Sequence, residues 1–266
     1  MYRVKFAWSL IVIFLLALLS VFVSRRGHPA TAQAPARKAV VVELFTSEGC
    51  SSCPPADALL GRLRQQKFAE GLEVIPLGLH VDYWDFQGWM DRFSSAAYTE
   101  RQQKYARRFH TEGPYTPQMV VDGTSQFVGS DASRADAAIV QAAMRQAPAD
   151  VQISAAGEDK VEVSIKAPKG NSSQVMMAYT EDNLATKIGG GENNGRELRH
   201  SAVVRELRSI GHLENGAFEA ALAVKLKKDW KRNDLRIVVF AQEPNNGAID
   251  GAASLPLGRS TPASER

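Results

Sequence analysis

The sequence predicts an α/β domain with a central mixed sheet in βαβαββα order, followed by an all-β, sandwich-like domain. Three observations carry this. The run Val40-Val41-Val42-Glu43-Leu44-Phe45 is apolar and β-branched, as a strand covered on both faces should be. It passes through a tight turn into Pro54-Pro55 and then the helical spacing of Ala56, Leu59, Leu60 and Leu63. Strand-like and helix-like stretches alternate from there to Pro148; beyond it, short β-rich runs are separated by turn-forming clusters. A boundary is therefore expected near residue 149, dividing domain 38–148 from domain 149–256.

The chain opens with Arg3 and Lys5, an uncharged run from Phe6 to Ser24, and Arg25-Arg26. Residues 1–32 read as a signal peptide or membrane anchor. Ala30-Thr31-Ala32 offers a small-x-small cleavage site, whereas Arg25-Arg26 resists translocation and favours anchoring. Residues 33–37 are a linker, and the expected location is periplasmic or extracellular, with a possible anchor in the inner membrane. The net charge of +3 has its origin in this leader, which holds four basic residues and no acidic one. The remainder is nearly neutral, which gives no electrostatic case for nucleic-acid binding.

The elements follow in order. A strand is expected over 39–46 and a helix over 54–69, closed by Gly71. Leu77, Leu79 and Val81 alternate with Gly78, His80 and Asp82 in a strand over 72–82. The helix at about 94–110 sets Tyr98, Tyr105 and Phe109 on one face and Arg101, Lys104, Arg107 and Arg108 on the other. Asp122-Gly123 is a hairpin signal between strands 118–122 and 125–129. A helix over 131–147, capped by Asp131 or Ser133, ends at Pro148. Six β-rich runs follow, at 151–154, 161–166, 174–180, 201–207, 217–224 and 235–241, and residues 257–266 form a disordered tail. Trp230 is expected as a packed aromatic in a solvated turn.

Chemistry concentrates at Gly49-Cys50-Ser51-Ser52-Cys53-Pro54, which holds the only two cysteines of the chain. A bridge between them closes so short a loop that chain entropy gives it only about 2 kcal/mol, a poor staple and a good redox switch. A structural zinc site needs four ligands, and no second Cys/His pair is present. At a helix start, dipole and free N–H groups favour a thiolate. No cofactor beyond a redox-active disulfide is required.

The strand order with Cys-x-x-Cys ahead of the first helix resembles the thioredoxin fold. So does Thr116-Pro117-Gln118-Met119-Val120-Val121, because a Thr-Pro or similar pair precedes the third strand in thioredoxin-like proteins. The resemblance implies a cis Thr116–Pro117 bond facing the cysteines. The combination of Ser47-Glu48-Gly49-Cys50-Ser51-Ser52-Cys53-Pro54-Pro55-Ala56-Asp57, His80-Val81-Asp82-Tyr83-Trp84-Asp85 and Tyr115-Thr116-Pro117 is similar to one bacterial group more closely. This is a family of exported proteins with a thioredoxin-like domain and a β-rich tail, classed as a domain of unknown function. Two departures from thioredoxin stand out: Gly49 replaces a Trp before the first cysteine, and Pro54 replaces a basic residue after the second.

On the redox reading, Cys50 is the attacking thiol, as the less deeply placed of the two, and Cys53 resolves the mixed disulfide. Glu43 is a candidate proton carrier for Cys53 or else a salt-bridged strand residue, and its spacing to Cys50 can turn it to the other face. His80 is a tuning group at the same sheet edge or a hydrogen-bonded structural histidine. Asp82 and Trp84, with Tyr83 and Asp85, either shape a substrate groove or pack over the sheet. Pro117, with Thr116 before it, exposes backbone for pairing with a substrate chain. The Gly-rich stretch 189–200 lacks the context of a phosphate loop and is either a long hairpin loop or a flap on the thiol site.

Three functions compete. One is an exported thiol–disulfide oxidoreductase acting on protein thiols or disulfides with a redox partner protein. Another is a copper metallochaperone using Cys50, Cys53 and His80. The last is a non-enzymatic protein-binding module.

Overall fold

The computed structural model describes residues 39–258. The expected leader 1–32 and linker 33–37 lie outside the described residues, as does the expected tail apart from its first two positions.

Thirteen strands and three α-helices are described. In order they are β1 (Ala39–Thr46), α1 (Pro54–Leu63), β2 (Glu73–His80), α2 (Ala96–Arg108), β3 (Gln118–Val121), β4 (Ser125–Val128), α3 (Ala132–Ala143) and β5 (Asp150–Ala155). There follow β6 (Lys160–Lys166), β7 (Gln174–Glu181), β8 (Leu184–Lys187), β9 (Glu197–His200), β10 (Val203–His212), β11 (Ala217–Ala223), β12 (Leu235–Gln242) and β13 (Ile249–Pro256). The result is an α/β fold with a β-rich region: a mixed eight-stranded sheet in the order β13-β12-β7-β10-β2-β1-β3-β4, a three-stranded sheet β11-β6-β5, and the pair β8-β9.

β1 lies inside this sheet, parallel to β2 and antiparallel to β3, and every one of its residues is buried. Alternation divides its side chains between two cores. Val40, Val42 and Leu44 pack with Ala56, Leu59, Leu60 and Leu63 of α1 and with Ala135 and Ile139 of α3. Val41 and Phe45 pack on the other side with Tyr98 and Tyr105 of α2. α1 ends at Leu63, six residues short of expectation, because the apolar stripe stops there. Asp131 caps α3, and Asp122 and Gly123 both take positive φ (50° and 62°) in the three-residue turn between β3 and β4, which Thr124 N closes on Val121 O (3.0 Å).

The expected boundary near 149 is not a boundary. β7, β10, β12 and β13 join the same sheet as β1–β4, through the register Val203↔Gly78 and a bond from Gly78 N to Ala202 O (2.8 Å). Only the three-stranded sheet forms a second β layer, with Val161, Val163 and Ile165 packed on Met177, Tyr179, Ile237 and Val239. Trp230 packs on Tyr179, as expected of a buried aromatic. β13 escapes the sequence pattern because its middle is Gly251-Ala252-Ala253, and a Cβ on Gly251 would lie 2.1 Å from Ala149 O. Closeness to β5, rather than β propensity, selects those small residues.

Candidate functional site

The turn between β1 and α1 carries the chemistry. Cys50 and Cys53 form a disulfide with their Cα atoms 5.4 Å apart, and Cys53 is the N-cap of α1. Ser52 Oγ lies 3.3 Å from Cys50 Sγ. The expectation of free helix N–H groups around the sulfurs fails. Pro54 and Pro55 have none, and the amides of Cys53, Ala56 and Asp57 bond to Cys50 O, Cys53 O and Cys53 O. The helix dipole and the Ser52 hydroxyl remain to stabilise a thiolate.

The bond from Thr116 to Pro117 is cis. A Cβ built on Gly129 would lie 3.1 Å from Pro117 and 3.3 Å from Ala56, so Pro117 sits against the first turn of α1. Trp84 closes the gap beside the cysteines. Its indole N–H donates to Thr116 Oγ1 (2.8 Å), and its Cβ would stand 3.2 Å from a Cβ at Gly49. The absence of a side chain at Gly49 thus makes room for Trp84.

Both cysteines are wholly buried, so Cys50 is not the more accessible one. The Gly-rich stretch 189–200 provides much of the cover. From its 3₁₀ turn Gly191–Asn193, the Asn193 carboxamide donates to Glu48 O and Cys50 O, both at 2.9 Å. Glu192 accepts from Ser51 N (3.0 Å). Gly189, Gly190 and Gly191 pack on Gly88 and Trp89, where a Cβ on Gly190 would lie 2.3 Å from Gly88 O. The flap reading of this stretch holds, in hairpin form between β8 and β9.

Behind the turn lies a buried polar cluster. The Glu48 carboxylate accepts from Trp89 Nε1 (2.9 Å) and His200 Nε2 (3.1 Å), while Glu48 N donates to Asp91 Oδ2 (2.8 Å). His80 Nδ1 donates to the same Asp91 oxygen (2.6 Å), and its ring meets that of His200 edge-on at 5.1 Å. Burial works against ionising these groups, but their partners win. The His200 and Trp89 bonds hold Glu48 below the usual carboxylate range, and His80 does the same for Asp91. For His80, burial is outweighed by the Asp91 charge and hydrogen bond, aided by Asp57 and Glu48, and its pKa is raised to about 9. His80 is therefore an imidazolium at neutral pH. His200 Nδ1 is buried without a hydrogen-bond partner.

Asp57 completes the cluster. Its amide bonds to Cys53 O (3.1 Å), one helical turn on, and its carboxyl interacts electrostatically with His80, His200 and Asp91. Burial pushes its carboxyl up, against the lowering effect of His80 and His200.

The predicted residues divide. Cys50, Cys53, Thr116, Pro117 and Trp84 come together, and His80 joins them through Asp91 and the Glu48 amide. Glu43 does not: it points to the α2 side, where Arg101 Nε and Nη2 and Tyr105 OH bind its carboxylate. Its role as a proton carrier for Cys53 is corrected by β-strand alternation. Asp82 is bound by the Thr99 hydroxyl at the start of α2 (2.6 Å), and Tyr83 donates to Gln102, so both are tied to α2. A copper ion on Cys50, Cys53 and His80 would need the disulfide reduced and His80 Nε2 deprotonated, while the Nδ1 bond to Asp91 could stay in place. Among the described residues no group of three or more His, Cys, Asp or Glu is arranged to hold a metal. Sequence reasoning missed Glu48, Asp57, Asp91, Asn193 and His200. Asp57 was within reach, four residues after Cys53 on a helix; Asn193 and His200 arrive from a distant hairpin with no local signal.

A crystal structure of a protein from Agrobacterium tumefaciens, determined by structural genomics, is similar at TM-score 0.69 and 29% identity, over 86% of this chain and 98% of that one. A domain of the outer membrane lipoprotein Omp28 from Porphyromonas gingivalis matches over 42% of this chain and 88% of that one. At TM-score 0.23 and 15% identity, that likeness carries no argument. A search of curated proteins finds no match. Residues 41–242 match one family, so the chain belongs to the family described as protein of unknown function (DUF1223).

Proposed function

We propose that the protein is a thioredoxin-like thiol–disulfide oxidoreductase, exported to the periplasm or cell exterior, that exchanges electrons between protein thiols or disulfides and a redox partner protein. The observation that carries this reading is the arrangement of the chain's two cysteines. They are bonded to each other at the head of α1, with the cis Pro117 against the same helical turn.

In the reducing direction, the Cys50 thiolate attacks one sulfur of a substrate disulfide and expels the other as a thiolate, leaving a mixed disulfide. Cys53 then attacks Cys50 Sγ, re-forms the internal disulfide and releases the second substrate thiolate. Two electrons pass from the cysteine pair to the substrate, and the Cys53 proton moves to Asp57. A carboxyl whose pKa is raised by burial suits that task, because burial shifts its proton affinity toward that of a thiol. The dipole of α1 and the Ser52 hydroxyl favour the Cys50 thiolate. The oxidising direction reverses each step.

Insulin disulfide reduction tests the reading. Wild-type protein is expected to turn over with dithiothreitol as reductant, Cys50→Ser to lose all activity, and Cys53→Ala to accumulate a mixed disulfide visible by mass spectrometry. Asp57→Asn is expected to lower turnover by about tenfold or more and to move the pH profile. Wild-type protein that does not accelerate insulin reduction over dithiothreitol alone would refute the assignment and leave a binding module.

A further inference from the structure

The basic face of α2 has no part in the thiol chemistry. Arg101, Lys104, Tyr105 and Arg108 recur at spacings of three and four residues, so they share one side of the helix. That side looks into a cavity of about 310 Å³, roofed by Gln174 and by the turn from Gln242 to Gly247. The volume lies at the small end of ligand sites.

The floor of this cavity is closed electrically. Glu43 is fully buried and receives Arg101 and Tyr105; Arg101 also donates to Gln242 Oε1 (3.0 Å), and Gln242 donates to Tyr105 OH (2.9 Å). The charge of Arg101 is thus spent on Glu43. The walls are not closed. Arg108 Nη1 is buried with no hydrogen-bond partner, pressed against the Gly247 backbone, where even a Cβ would come within 2.4 Å of it. Glu243, which lines the same cavity, is bound by Asn245 Nδ2 (2.9 Å) and Asn246 N (2.6 Å) and offsets one of the remaining positive charges through its attraction to Arg108. The carbonyl end of α2 offsets about half a charge. Arg108 and Lys104 still leave the cavity positive, and Arg145 adds to this from beside Arg108.

We propose that this cavity binds a small anion through a carboxylate or phosphate group, held between the Arg108 guanidinium and the Lys104 ammonium. A guanidinium fork matches the paired oxygens of either group, and the exposed Lys104 ammonium lines the same cavity. The side-chain amide of Gln174 supplies a neutral partner for the rest of the ligand. The site stands apart from the cysteines and does not depend on the redox reading.

Isothermal titration calorimetry on the full chain, at fixed ionic strength, tests this with inorganic phosphate and with succinate as separate probes. Saturable binding of either is expected, and the tighter probe assigns the ligand group. Arg108→Gln is expected to weaken it by roughly tenfold or more, and Lys104→Gln, at an exposed position that leaves the fold intact, by a smaller factor. Insulin reduction is expected to be unchanged in both variants. The proposal is overturned if neither probe binds saturably at millimolar concentration, or if Lys104→Gln and a folded Arg108→Gln bind as wild type does.

Discussion

His80 shows how one residue changes meaning with its neighbours. An isolated histidine in an apolar strand loses its charge on burial, yet here Asp91 Oδ2 at 2.6 Å, with Asp57 and Glu48 nearby, reverses the outcome. The folded state holds the proton up to a pH of about 9, against an ordinary value of 6.5. Such a raised pKa contributes stability that is full below pH 6.5 and lost as the pH rises through 9. The difference corresponds to on the order of 3 kcal/mol. Urea unfolding between pH 6.5 and 9.5 is expected to show that fall, and His80→Gln to flatten it. A wild-type profile with no slope in this window would mean that the His80–Asp91 pair is not ionic. The same residue scale corrects Glu43: one position of strand alternation separates a partner of Cys53 from a partner of Arg101.

The β8–β9 hairpin is the element that decides access. Its tip is polar and Gly-rich, with three hydrogen bonds to the turn around Cys50 and little apolar area of its own. Elements of that kind open at low cost. Two bonds depend on the Asn193 carboxamide, and at about 1 kcal/mol net for each, Asn193→Ala is expected to raise the open population by on the order of tenfold. Iodoacetamide labelling of the reduced protein, followed by mass spectrometry, measures this as faster modification of Cys50. Wild-type thiols that react as fast as those of an unfolded chain would rule out the flap as a cover. The sequence offered both a plain loop and a flap here, because the two carbonyls that the Asn193 amide binds lie more than 140 residues away.

At the scale of the whole molecule, the sheet joins what composition divides. β2 has β1 on one side and β10 on the other, and Tyr98 of α2 donates to Val204 O (3.0 Å) across the expected boundary. Arg64 after α1 pairs with Asp182 after β7. A fragment ending at residue 148 would leave β2 as a bare edge and expose the apolar face that β7, β10 and β12 cover. It is expected to remain unfolded or aggregate. In the complete protein, tryptophan fluorescence and far-UV circular dichroism are expected to report one unfolding transition in urea. A soluble, cooperatively folding fragment 38–148 would restore the two-domain description.

The sequence by itself determined β1, the thiol turn, α1 and the Asp122-Gly123 hairpin, because each rests on interactions among residues close in the chain: β-branched packing, proline at a helix start, positive φ at a glycine. It also determined which cysteines can pair, because Cys50 and Cys53 are the only two in the chain. Tertiary structure alone decided that residues after 149 extend the first sheet and that Asp91 and His200 surround His80. It alone decided that Asn193 covers the disulfide. Those relations depend on the burial of polar groups brought from distant segments, whose partners are fixed only when the strands between them have found their places.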